Sequence, residues 1–121
     1  MQGGYAAYAK VHPNNGSHRD LEYKVLGTVT GALINANKDE AVLPDIYNAA
    51  LWNEKVWNAF RSDLSSEENK LPGDLKDALI SLSIWVGKET RRVLDNATGL
   101  DGLININRQI MAGLTSQSDA K

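Results

Sequence analysis

An all-α fold, a compact bundle of about four helices, is predicted by three features of this sequence. Apolar residues recur at three- and four-residue spacings in four separate stretches. Residues suited to helix starts precede or open those stretches: Ser17, the pair Pro44-Asp45, Pro72 with Asp74, and Asp101 after Gly99. Val and Ile occur throughout, but nowhere in the apolar/polar alternation of a strand. The 121 residues suit a single helical domain over positions 1–121, with an ordered core at about 17–114.

Met1 to Gly16 is rich in Gly, Ala and Asn and is broken by His12-Pro13 and Asn14-Asn15-Gly16, which predicts a flexible N-terminal arm. The first helix then starts at Ser17, with Asp20 where a capping box carries its acidic residue. Leu21, Val25, Val29, Ala32, Leu33 and Ala36 form its apolar stripe. Gly27 and Gly31 lie on another face, beside Tyr23 and Ile34. Each glycine costs a helix about 1 kcal/mol relative to alanine, so the pair predicts close approach of a second helix backbone.

The second helix runs from Pro44-Asp45 to about Asp63 and contains Trp-Asn twice, at Trp52-Asn53 and Trp57-Asn58. Five residues turn a helix through about 140°, so the two indoles cannot share a face. The stripe Ile46, Ala49, Ala50, Asn53, Trp57, Phe60 and Leu64 puts Trp57 in the core, while Trp52 and Val56 fall on its flank. The third helix runs to about Asn96, with Leu75, Leu79, Leu82, Val86 and Val93 as its main stripe, flanked by Ala78 and Trp85. Ile80 and Ile84 lie opposite, beside Gly87. A helix apolar on two sides is either central or presents a surface to a partner. The fourth and shortest helix carries Leu100, Leu103, Ile104, Asn107, Ile110, Met111 and Leu114, and the tail from Thr115 onward is expected to be loose.

Asn53 and Asn107 both intrude into apolar stripes. A buried amide without partners costs on the order of 1–3 kcal/mol, so either the two bond to each other inside the bundle or they are kept for a partner. Asn53, Trp57, Trp85, Asn107 and Met111 are thus the expected polar and apolar interior. Tyr23, Ile34, Trp52, Val56, Ile80 and Ile84 are the expected partner-binding set, lining a groove for an apolar helix.

Composition narrows the function classes. The net charge of −2 and the scattered basic residues disfavour direct nucleic-acid binding. The absence of cysteine excludes disulfides and thiolate metal sites. No apolar run approaches the ~20 residues that span a bilayer, and the N-terminus lacks a signal-peptide pattern, so a cytoplasmic location is expected. His12 and His18 are the only histidines and have no carboxylate pair at ligand spacing; neither a nucleotide-binding loop nor a serine–histidine arrangement is present. No enzyme activity, cofactor or metal is expected.

The runs LEYKVLGTVTGALINA, ALWNEKVWNAFRSDL, NKLPGDLKDALISLSIWVGKET and LININRQIMAGL, in that order, resemble the FlaF family of flagellar biosynthesis regulators from about Tyr5 to Leu114. Trp-Asn-x-x-x-Trp, Leu-Pro-x-x-Leu, Ser-Leu-x-x-Trp-Val and Asn-Arg-x-Ile-Met-x-Gly-Leu carry the likeness as an ordered set. The departures are peripheral, in MQGGYAAY and HPNNGSH. The resemblance implies a small helical cytoplasmic protein of flagellum assembly. It would bind flagellin as a secretion chaperone and couple flagellin synthesis to export. Its motif positions here are Trp52, Asn53, Trp57, Trp85, Asn107, Arg108 and Met111. An alternative implied role acts mainly through a second regulator, FlbT, which controls translation of flagellin message. A further alternative is an obligate oligomeric assembly factor, against a monomer or small oligomer.

Overall fold

The computed structural model describes the backbone of residues 15–119 and the side chains of residues 21–113. It contains four helices: α1 (Asn15–Ala36), α2 (Leu43–Leu64), α3 (Gly73–Leu94) and α4 (Asp101–Asp119). No strand is present among the described residues. The expected N-terminal arm lies outside the described residues up to position 14. α1 begins two residues before Ser17, and α4 continues five residues past Leu114, so the fourth helix nearly matches the others in length.

The remaining ends follow the local chemistry. Pro44 occupies the first turn of α2, where its missing N–H leaves no bond unmade. Val42 and Pro72, the residues before α2 and α3, have extended backbones and accept the first helical bonds, from Ile46 and Lys76. α3 stops at Leu94 rather than Asn96 because Asn96 turns left-handed, with φ 60°. The Asn96 N–H then reaches the Val93 carbonyl and the Ala97 N–H reaches the Arg92 carbonyl, which satisfies the last turn in the pattern of a Schellman cap. The Tyr47 hydroxyl donates to Asn96 Oδ1 at 3.0 Å and ties this turn to α2.

Short connections make sequential helices antiparallel neighbours. α1 packs along α2 and α4, and α2 packs along α3, whereas α3 and α4 meet over much less of their length. The main core gathers Leu33, Ala50, Trp57, Val86, Val93, Leu100 and Leu103 from all four helices. A second cluster of Leu26, Val29 and Val56 lies beside it, with Val25, Phe60, Ile110 and Met111 packed around it. Each fully buried Leu or Val contributes about 1.5–3 kcal/mol by leaving water.

Three details depart from the helical-wheel expectation. Leu26 is completely buried although it is not on the predicted stripe of α1. The inner face of α3 is centred on Ser83, Val86, Thr90 and Val93, while Leu75, Leu79 and Leu82 are only half-buried. Ser83 and Thr90 can sit inside because their hydroxyls donate to the Ile80 and Val86 carbonyls of their own helix, at 2.6 and 2.7 Å. Finally, neither glycine of α1 meets the backbone of a neighbouring helix, contrary to expectation. A Cβ on Gly27 would lie 3.5 Å from the Met111 side chain, and one on Gly31 would meet nothing within 4 Å.

Candidate partner-binding surface

Polar groups that bond to one another in the interior are not available to a partner. Trp57, only 2% exposed, donates from its indole Nε1 to Asn107 Oδ1 at 2.9 Å. The Asn107 amide in turn donates to Asn53 Oδ1 at 2.8 Å and to Thr30 Oγ1 at 3.0 Å. Thr30 Oγ1 lies 4.0 Å from Met111 Sδ, as donor to a weak sulfur acceptor. Asn53 and Asn107 therefore bond to each other inside the bundle, which resolves the two alternatives their positions left open. The network joins α1, α2 and α4 through one amide. Sequence pattern missed Thr30 as a member, since a single threonine in an apolar helix carries no distinguishing signal. The indole donor of Trp57 was also missed. One atom stays unmatched: Asn53 Nδ2 is buried without a hydrogen-bond partner.

Of the partner-binding set, Tyr23, Ile34, Trp52 and Ile84 are exposed, with Trp52 at 44% and Ile84 at 45%. Ile80 is half-buried. Val56 does not belong with them: it is 8% exposed and packs with Leu26 and Val29. It lies one residue from Trp57 on the inward-turning edge of α2, and α1 covers it. Trp85 is a correction in the other direction. Expected inside, it is 38% exposed. Its ring lies by the start of α4, where a Cβ on Gly102 would come within 3.4 Å of Cη2. Met111 is half-buried, as a flanking core residue.

The single groove expected from the helical wheels is two depressions. One lies between α1 and α2, lined by Ala32, Asn35, Asp45, Asn48 and Trp52 among others. The other lies between α2 and α3, lined by Glu54, Asn58, Arg61, Ile84, Lys88 and Arg91, with Ser83 and Gly87 at its floor. No residue lines both, and Tyr23, Ile34 and Ile80 line neither. The reason is angular: Trp52 and Glu54 are two residues apart on α2, so they point to nearly opposite flanks of that helix.

The surface also includes apolar residues that the helical wheels did not single out. Val42, Leu43 and Leu51 are exposed. Val42 and Leu43 precede or open α2, outside the reach of a periodicity argument, and Leu51 lies off the stripe between two alanines and Trp52. The α2–α3 depression differs from the other in charge. Arg91 Nη2 lies 3.6 Å from Glu54 Oε2, with the arginine side chain 66% exposed. Arg61 and Lys88 line the same depression without an ion pair among the described residues.

No group of three or more His, Cys, Asp or Glu side chains among the described residues is placed to hold a metal ion. No helix among the described residues is long and apolar enough to cross a membrane. The arrangement is a helical body with apolar side chains standing on its outer faces, which suits recognition by contact.

Comparison with known proteins supplies the biological setting. No curated protein and no solved structure matches the chain significantly. The family model described as flagellar protein FlaF matches residues 5–114, nearly the whole chain and all of the core described above. The chain therefore belongs to the FlaF family of flagellar proteins.

Proposed function

We propose that this protein binds unassembled flagellin in the cytoplasm as a secretion chaperone and couples flagellin synthesis to export. The observation that carries the reading is the match to the flagellar family over residues 5–114. The surface supports it. Trp52, Ile84, Trp85, Leu51 and Leu43 are large apolar side chains left outside a core that is already filled. Helical segments that pair in a polymer have no partner before assembly, and a folded helical body with apolar outer residues can cover them. The proposed role is binding without catalysis and without a cofactor.

Calorimetric titration of the full chain with monomeric flagellin is the direct test. Saturable binding at a defined stoichiometry is expected, and truncation of flagellin from each end should locate the bound segment. Absence of binding would overturn the proposal. Recovery of FlbT without flagellin in a pull-down from flagellated cells would replace it with a regulatory contact. Light scattering over a range of concentrations decides between a monomer or small oligomer and an obligate assembly.

A further inference from the structure

We infer that the α2–α3 depression is the docking groove for the client, and that it takes an amphipathic helix whose apolar stripe is bordered by carboxylates; this rests on the reading of the chain as a flagellin-binding protein. Three features of the groove, with the helix row that its anchor belongs to, lead there. Its apolar anchor is Ile84, the most exposed large apolar side chain on α3. Ile80, one turn earlier, is half-buried and outside the lining of the depression, but it continues that apolar row along the helix. Its floor is open because residue 87 is glycine, and a Cβ there would be in no more than ordinary contact, 3.7 Å from Glu54 Oε2. Its rim carries Arg61, Lys88 and Arg91 against the single carboxylate of Glu54.

That balance of charge decides the occupant. The chain as a whole is negative, at −2, yet this groove carries three cations and one anion. Glu54 engages Arg91, which leaves Arg61 and Lys88 unmatched in the groove. A bound helix with acidic residues beside its apolar anchors would supply the missing counter-charges, whereas one with basic borders would be repelled. The α1–α2 depression lacks this property, since Asp45 is its only charged lining residue. Three cations around an isoleucine, with no aromatic residue lining the groove, do not make the stacking platform that single-stranded RNA requires.

The experiment uses the full chain with two kinds of probe: monomeric flagellin, and two synthetic helices with the same leucine stripe bordered by Glu in one and by Lys in the other. The Glu-bordered helix is expected to bind and the Lys-bordered helix is not. Ile84→Asp, and separately Arg61→Glu with Lys88→Glu, should each weaken flagellin binding by about tenfold or more, and wild-type binding should weaken with added salt. Gly87→Leu fills the floor while removing a helix glycine, so it should lose binding with unchanged or raised thermal stability. Lys38→Ala, which removes an exposed cation in the turn between α1 and α2 and away from the groove, should bind as wild type does.

If flagellin does not bind while the Glu-bordered helix does, the flagellin reading falls and the groove stands. If flagellin binds equally well to all the groove variants, the groove assignment falls and the flagellin reading stands. Concentration-dependent dimerisation abolished by Ile84→Asp would identify the occupant as a second copy of this chain and overturn the inference. An RNA oligonucleotide whose binding is abolished by the double charge reversal would overturn it as well.

Discussion

Asn107 is the side chain on which most of the buried polar chemistry depends. It accepts from Trp57 and donates to both Asn53 and Thr30. Asn107→Ala would leave the Trp57 donor and the Asn53 carbonyl buried without their bonds. A cost of about 3 kcal/mol or more is expected in chemical denaturation. Asn53→Ala should cost less, because Asn53 already carries an unmatched amide hydrogen-bonding group that the substitution removes. Equal losses would show that the network is not organised around Asn107. The tryptophans separate in the same way. Trp57→Ala removes a filled core ring and should cost about 3–5 kcal/mol, while Trp52→Ala, at a site 44% exposed, should cost much less. Quenching provides an independent check: acrylamide should reach Trp52 and Trp85 but not Trp57, and Trp52→Phe with Trp85→Phe should leave a blue-shifted, protected emission.

At the level of the helices, the turn between α3 and α4 shows how a local rule acts over a distance. Asn96 holds a left-handed conformation that caps α3, while its side chain accepts from Tyr47 on α2. Glycine adopts that conformation without strain and alanine does not. Asn96→Ala should therefore destabilise by about 1 kcal/mol, while Asn96→Gly should stay near neutral, its conformational relief offset by loss of an exposed hydrogen bond. Thermal unfolding of the two variants side by side checks this, and the reverse order would refute the cap. The start of α4 is fitted to α3 in a different way. The Glu89 carboxylate is buried against Gly102, where a Cβ would come within 2.9 Å of Oε2. Arg92 holds that carboxylate at 3.1 Å. Gly102→Ala should lose the usual benefit of replacing a helix glycine, and a stabilised variant would show that Glu89 moves aside freely.

For the molecule as a whole, α1, α2 and α4 share one polar network and all four helices share one apolar cluster. Far-UV dichroism and Trp57 emission in the Trp52→Phe, Trp85→Phe background should therefore follow one cooperative transition. An early loss of Trp57 protection would mean that the helices part before they melt. The limited packing of α3 on α4 explains why Trp85, apolar and on the flank of a core stripe, ends on the outside.

The helix count, the approximate starts at Pro44 and Pro72 and the burial of Trp57 are legible in residue spacing, as is the need of Asn53 and Asn107 for partners, though not that they are each other's. Each depends on periodicity or on the cost of burying an amide, and both are properties of a helix and its immediate chemistry. The FlaF resemblance is legible for the same reason, as an ordered set of local strings. Which flank of each helix meets a neighbour is not local. Val56 went inside because α1 lies over it, and Trp85 stayed outside because α4 packs on α3 far less than the other neighbouring helices pack on each other. Trp52 and Ile84 were divided between two depressions because α2 stands between them. Helical period ranks the faces of one helix, but burial is decided by where the next helix lies, and that depends on packing among all four.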